Sequence, residues 1–335
     1  MRTQLQSLRR SLSPLLGSLC RALAVCLFPF IAFSQGDTQK VPISNVIDSN
    51  AKATAFAEGV ISTPYTEWAT SFSPDGKTVY SSQGAVYWTI ISSKMTGGKW
   101  AKPKVAPFSG QWNDTDPFVS PDGKRLFFIS NRPIDGAPHG TPNKNYHIWY
   151  VDHLSGDEWS TPHHLDAPVN TEGSSCYAPS ISRSGTLYFC ARDRDGHAGM
   201  SSYACTWLGT HYDTPKLLTL NGNNEIQDPF IAPDESYLVF VSGNDILISF
   251  HQGDSWSAVQ NLGPEVNNGD GNSSPYVSAD GKMLYYSSNR IHGFYKRDRE
   301  HALDYDGLVK EMQSIYNSGS NILMIPINLP AASHS

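Results

Sequence analysis

Apolar residues along this chain come in short paired runs, and each pair is joined by a Pro-Asp-Gly turn or a worn version of it. The clearest copy is the stretch 114–132, DTDPFVSPDGKRLFFISNR. Two runs joined by a tight Asp-Gly turn predict a β-hairpin, because Gly and Asp tolerate the backbone angles of the reversal. The second run, Leu126-Phe127-Phe128-Ile129, is apolar on both faces, so its strand must be covered on both sides. A lone hairpin leaves one of those faces in water. Neighbouring copies stacked face to face cover it.

Aligned on the turn, the copies centre on Asp75, Asp122, Ser184, Asp234 and Asp280, at separations of 47, 62, 50 and 46 residues. A period of this size with four short strands per unit is the pattern of a β-propeller. Third strands are predicted over 85–91, 147–151, 201–207, 245–250 and 321–327. An aromatic opens the fourth strand in four copies: Trp100, Trp159, Tyr212 and Trp256. These rings are expected between blades, as core rather than as ligand platforms. The last copy ends at its third strand, and the run 57–63 (AEGVIST) stands before the first hairpin in the place of a fourth strand. The expectation is an all-β propeller of five blades over 57–330, closed by its N-terminal strand, which shields edges that would otherwise pair with other chains. Six blades, the alternative, need a blade without a recognisable turn.

The copies differ where chemistry could enter. The third has Arg183-Ser184 in place of Pro-Asp, which predicts a distorted turn, and the fourth has Asp234-Glu235 and lacks the Gly. The fifth carries an insertion over 291–320, in which Leu308, Met312 and Ile315 fall at helical spacing after Asp304 or Asp306, a suitable N-cap. One short helix over a face of the ring is predicted, as a plug hiding apolar surface or, alternatively, as a lid.

Ser-Pro-Asp-Gly at 73–76 and 120–123, Ser-Asn-Arg at 130–132 and 288–290, NLGPEVN at 261–267 and HLDAPVN at 164–170 carry a family resemblance. The repeat resembles the WD40-like Asp-Gly repeat of TolB-type β-propellers of bacterial envelope and secreted proteins, including a five-bladed variant. The likeness runs from about Gly59 onward. It implies the fold and says little of activity, because such repeats serve binding proteins, enzyme accessories and lyases alike.

The first 34 residues carry Arg2, Arg9, Arg10 and Arg21, no acid, and an apolar block over 22–33. Ala32 and Ser34 supply small residues at the spacing of a signal-peptidase site, so a signal peptide over 1–34 is expected, followed by a flexible segment over 35–56. The block is shorter than the ~20 residues a spanning helix needs, so no transmembrane segment is expected in the mature chain. Loss of the leader lowers Lys plus Arg from 25 to 21 against 31 acidic residues, a formal charge near −10. That balance argues against nucleic-acid partners. Cys176, Cys190 and Cys205 remain, open to one disulfide or to three buried thiols.

Candidate chemistry converges at one mouth of the channel. Three positions before the Pro of each inner strand, or before Thr70 in its place in the first copy, stand Glu67, Asp114, Cys176, Ile226 and Asn272, with Asp116, Glu225, Asp228 and Asp270 nearby. Gathered carboxylates repel one another unless a cation or an Arg neutralises them. Arg132 and Arg290 are expected to pair with them and brace adjacent blades, and the alternative is a site for Ca²⁺, another divalent cation or a hydroxylated ligand. Asp193 and Asp195 in DRDGHAG are weaker metal candidates, since the remaining oxygen ligands of a calcium loop are missing. The pair His163-His164 is expected in an outer strand facing solvent, whereas His139, His197 and His292 fall in rim loops. No GxSxG, HExxH, Walker or dinucleotide-binding glycine pattern is present. The reading is a periplasmic or secreted, non-enzymatic binding propeller that contacts an envelope protein, a peptide or a saccharide through its rim loops, with no resident cofactor. A carbohydrate-active lyase or hydrolase at the channel mouth is the alternative.

Overall fold

Each Asp-Gly turn predicted from the sequence joins the two strands it should. The computed structural model describes residues 46–84, 86–135, 139–220, 225–253, 255–267, 271–289, 297–317 and 319–330. Five antiparallel sheets form the blades of a propeller. Their inner strands are Thr66–Phe72, Asp114–Val119, Ser175–Ile181, Gln227–Ile231 and Asn272–Val277. The second strands are Thr78–Gly84, Arg125–Ser130, Leu187–Arg194, Tyr237–Ser242 and Met283–Ser288, and the third are Trp88–Thr96, His147–Ser155, His197–Cys205, Asp245–Gln252 and Asn321–Pro326. Leu126 to Ile129 are buried as their pattern required.

In the Asp-Gly turns the carboxylate holds the reversal from inside: Asp75 Oδ1 accepts from Ser73 Oγ at 2.6 Å and from Lys77 N–H at 3.0 Å. The Ser73 bond, more than any other cause, draws the Asp75 pKa below the ordinary range. Blade 3 has no such Asp, yet its turn is not open. Glu235, from the next blade's turn, reaches across to accept from Ser182 Oγ at 2.7 Å and from Ser184 Oγ at 2.6 Å. Glu235 itself sits at φ 60°, where the Gly of the regular copies sits at 68°, 71° and 69°. A left-handed backbone at a residue with a Cβ costs roughly 1 kcal/mol, and the cross-blade carboxylate offsets that strain.

The fourth strands are short, such as Lys99–Trp100 and Glu158–Trp159. Their aromatics pack as core: Trp159 lies edge-on to Tyr80 of the preceding blade, with ring centroids 6.0 Å apart. In the last blade the fourth strand does come from the chain's beginning, but it is Thr54–Ala55, paired to Met324 and Leu323, and not the expected 57–63. Positive φ at Ala57 and Gly59 turns that run into a loop. The loop still buries Ile61 and ties Ser62 Oγ to the Ile322 carbonyl at 2.8 Å. The stretch expected to be flexible up to residue 56 is packed from Val46 onward, because Val46, Ile47, Ala53 and Phe56 bury their side chains. Phe56 is the latch. Its ring meets Phe72 and Trp100 of blade 1 at 5.6 Å each and Tyr285 of blade 5 at 5.0 Å.

The insertion of blade 5 contains the expected helix, Tyr305–Met312, capped by Asp304, which accepts from Gly307 N–H at 2.7 Å. It buries no residue of its own: Leu308 and Met312 are 37% and 62% exposed, and only Ile315 beyond it is buried. The helix itself leaves its apolar stripe largely exposed, and the part of the stripe that joins the core is Ile315, just beyond it. The three cysteines are free and buried, since the strand register sets Cys176 opposite Ala191, Cys190 opposite Tyr177 and Ser202, and Cys205 opposite Leu187. No helix among the described residues is long and apolar enough to cross a membrane.

Replacing the latch tests the closure. Phe56→Ala is expected to lower unfolding free energy in urea by roughly 3–5 kcal/mol, the range for emptying a buried aromatic site. A change below ~1 kcal/mol would mean that the ring closes without it.

Candidate functional site

At the axis every inner strand breaks its own ladder at the same place. The pairing with the second strand skips between Trp68 and Thr70, Thr115 and Phe118, Tyr177 and Ser180, Gln227 and Phe230, and Ser273 and Tyr276. One residue of each β-bulge takes a left-handed backbone: Ala69, Asp116, Ala178, Asp228 and Ser274, with φ between 46° and 51°. In blades 2 to 5 a Pro follows it, which has no N–H to lose where the ladder is broken.

The N–H freed by each bulge goes to the preceding blade. Ala69 donates to Ser287 Oγ (3.0 Å), Asp116 to Ser82 Oγ (3.2 Å), Ala178 to Asp116 Oδ2 (2.9 Å), Asp228 to Cys190 Sγ (3.1 Å) and Ser274 to Asp228 Oδ2 (2.9 Å). The five bonds make a closed circuit around the channel. Two of its acceptors are carboxylates, and both face the axis.

Above this circuit lies a cavity of about 610 Å³. Asp116 and Asp228 form its floor with Thr115 and Gln227, and Trp68, Trp88, Tyr146 and Tyr177 form its aromatic wall. The rings come in two tilted pairs, Trp68 with Trp88 at 6.3 Å and Tyr146 with Tyr177 at 5.9 Å between centroids. The wall is uneven in height. Blades 3 and 4 reverse at the mouth through two-residue turns, Asp195-Gly196 and Gly243-Asn244, whereas the second and third strands of blades 2 and 5 are joined by long connections. Tyr65, Tyr87, Ile134 and Met312, in segments leading to or from the strands at this end, are exposed.

Burial, then the charge of Asp228, raises the Asp116 pKa to about 7, against bonds from Ala178, Thr115 and Trp68 that pull it down. Burial also raises Asp228, opposed by its bonds from Ser274.

The residues singled out from the sequence separate into distinct groups. Among the described ones, Asp116, Asp228 and Asn272 reach the cavity. Glu67 and Asp114, three positions before the Pro, are buried inside their blades because the bulge turns that position away from the axis. Glu67 accepts from Thr63 N–H at 3.1 Å and Gln83 Nε2 at 3.0 Å, and burial lifts its pKa to about 7. Asp114 accepts from Arg132 Nη2 at 2.8 Å and Ser109 Oγ at 2.8 Å. Arg132 continues to the Phe108 carbonyl at 3.0 Å and lies over Phe128 and Trp149, so it braces blade 2 and its lead-in, not two neighbouring blades. Arg194, missed in the sequence, does likewise for blade 3 by bonding the Pro168 and Val169 carbonyls. Its signal was an Arg at the end of a second strand, displaced from the Ser-Asn-Arg pattern.

Glu225 is exposed, and Asp270, Arg290 and His292 lie outside the described residues. Asp193 accepts from Gly199 N–H at 2.8 Å and Asp195 from Arg194 Nε at 3.2 Å, which is hairpin architecture. No group of three or more His, Cys, Asp or Glu among the described residues is placed to hold a metal ion. His139 and His197 are exposed. His164, expected to face solvent, is instead largely enclosed, with Nε2 2.9 Å from His147 Nδ1 and Nδ1 2.9 Å from Asp166 Oδ1.

No protein-family model and no curated protein sequence matches the chain. Solved structures that resemble it are β-propellers. A TolB candidate of Agrobacterium tumefaciens is 16% identical, with 80% of this chain and 92% of that one covered and a TM-score of 0.45. An α-L-arabinofuranosidase of Lactobacillus brevis is 12% identical over 81% and 92%, with a TM-score of 0.51. A gluconolactonase of Xanthomonas campestris is 11% identical over 86% and 93%, with a TM-score of 0.44. At such identities the likeness is one of fold. The chain is a five-bladed β-propeller with an aromatic-walled, acid-floored cavity at one mouth of its channel.

Folding raises the Asp116 pKa from 3.8 to about 7. The stability tied to its protonated form is thus complete below the unfolded value and is lost as pH rises through about 7. Asp116→Asn keeps an acceptor for Ala178 N–H and removes the titration. Urea unfolding from about pH 4 to pH 7 is expected to fall less steeply for this variant, by roughly 1–3 kcal/mol over the range, with Glu67 keeping part of the slope. An unchanged slope would show Asp116 to be ionised throughout.

Proposed function

We propose that the protein is an exported binding propeller that takes a peptide segment of a partner protein at the channel mouth. One observation carries this reading: the cavity's wall is aromatic, and exposed apolar residues stand in the lead-in and short turn of blade 1 and in the long connections of blades 2 and 5. Aromatic anchors in a desolvated pocket, ringed by further contact surface, are how peptide interfaces concentrate their affinity. The low rim at blades 3 and 4 leaves an open side through which an extended chain can lie. The acid-free, Arg-bearing leader supports export, and with it a periplasmic or secreted partner.

A hydrolase acting on saccharides at the same mouth is the second reading, favoured by the raised pKa values of Asp116 and Asp228 in an open cavity. Against it weighs the work those carboxylates already do, since each accepts a backbone N–H from the neighbouring blade.

Peptides selected from a random display library on the mature protein separate the two readings. Trp88→Ala with Tyr177→Ala is expected to weaken the selected peptides roughly tenfold or more, as loss of a central aromatic anchor does. Unchanged affinity would move the site away from the mouth. Release of reducing sugar from a panel of arabino-, xylo- and gluco-oligosaccharides, abolished by Asp228→Asn, would favour the hydrolase.

A further inference from the structure

The floor of the mouth sets two buried carboxyl groups near each other with no cationic side chain among the described residues beside them. Among its described lining residues there are two carboxylates and no Lys, Arg or His. The carboxylates cannot be moved away, because Asp116 and Asp228 are fixed by bulges of their own strands and by the N–H groups they accept from Ala178 and Ser274. A neutral ligand seated there leaves their ionised forms buried and unbalanced, which is costly, whereas a cationic ligand offsets that cost. Trp68 with Trp88 and Tyr146 with Tyr177 present π-systems around the same space. Aromatic faces beside carboxylates attract a cation twice over, through the ring quadrupole and through charge.

A second observation points to what kind of cation. Asn272 and Ser320 also line the cavity, and both are more than nine-tenths buried. Their side-chain oxygens, Asn272 Oδ1 and Ser320 Oγ, have no hydrogen-bond partner among the described residues and lie just behind the cavity surface, so a ligand's donor meets them when those side chains turn toward it. An acceptor buried without a donor costs stability, and a ligand that supplies the donor recovers it. A metal ion would want a preformed set of three or more ligands, which the described residues do not offer. An ammonium group has three N–H donors that turn freely on a flexible stem, and it suits carboxylate, amide and hydroxyl oxygens together.

We propose that the mouth recognises a primary ammonium group, carried either by a lysine side chain or by a peptide's amino terminus. The proposal rests on the peptide-binding reading and narrows it: the cation goes to the floor between Asp116 and Asp228, and the residues around it go to the aromatic wall. Seating an ammonium there also explains why the circuit of bulges uses carboxylates at two of its five acceptors. A serine or a cysteine serves as acceptor at the other three.

Four small probes test it. Nα-acetyl-lysine methylamide carries only the side-chain amine, and glycinamide only the terminal one. Nα,Nε-diacetyl-lysine methylamide and N-acetylglycinamide are their neutral counterparts. Quenching of tryptophan fluorescence, with Trp68→Phe and Trp88→Phe to assign the signal, reads binding. At least one amine is expected to bind saturably in the millimolar range, and its acetylated counterpart roughly tenfold or more weakly. Which amine binds tells the lysine from the terminus. Asp228→Asn retains an acceptor for Ser274 N–H and is expected to bring amine and counterpart to equal affinity. Equal binding by wild type, or no saturable binding of either amine, overturns the ammonium proposal. If display-selected peptides still depend on Trp88 and Tyr177 in that case, the peptide reading stands without it. If they do not, both fall.

Discussion

Five backbone N–H groups, one per blade, hold the centre of this molecule together. A β-bulge deprives each inner strand of a ladder bond close to the axis, and the amide so released is satisfied only by the blade before it. An amide buried at a propeller axis without a partner costs roughly 1–3 kcal/mol. Each blade is therefore completed by its neighbour, and a second tier repeats the device farther along the strands, where Val119 and Ile231 donate to Ser71 and Ser180 of the preceding blades. The hydrophobic faces supply most of the driving force for stacking. These directional bonds fix how the blades are rotated against one another.

Because the circuit and the cavity share Asp116 and Asp228, the same two side chains tie the blades together and line the channel mouth. Each gives an oxygen to a neighbour's backbone and faces the cavity as well. Their burial raises the cost of ionisation, which a ligand's charge can offset. The fold thus carries an electrostatic debt at the place where a ligand would arrive.

The blade plan was legible because it is local. The Asp-Gly turns, the apolar runs beside them and the aromatic before each outer strand need only short-range sequence to be read. The dipeptides Asp116-Pro117, Ala178-Pro179, Asp228-Pro229 and Ser274-Pro275 also marked the inner strands, yet the residue that mattered was the one touching the Pro. Counting three positions back from the Pro assigned the mouth to Glu67 and Asp114 as well, and the bulge turns that position into the blade. The latch was placed a few residues late for a similar reason. Ala57 and Gly59 take left-handed angles, and a small apolar sequence does not announce that. Leu308 and Met312 show the opposite failure, since their helical spacing was real but nothing packs over the stripe. Cross-blade events such as Glu235 reaching blade 3, or Arg194 tying down its own lead-in, join residues far apart in sequence and leave no pattern in a single chain.

Glu235 has an evolutionary consequence. Propellers gain and lose blades by duplicating or deleting one repeat, which is harmless while every repeat is self-sufficient. Here the turn of the third repeat is completed by an acid belonging to the fourth, and the fourth tolerates an awkward backbone to provide it. Excising either repeat, or slipping a copy between them, would strand both halves of that arrangement. The two have ceased to be interchangeable modules, and the order of the blades on that side of the ring has become fixed.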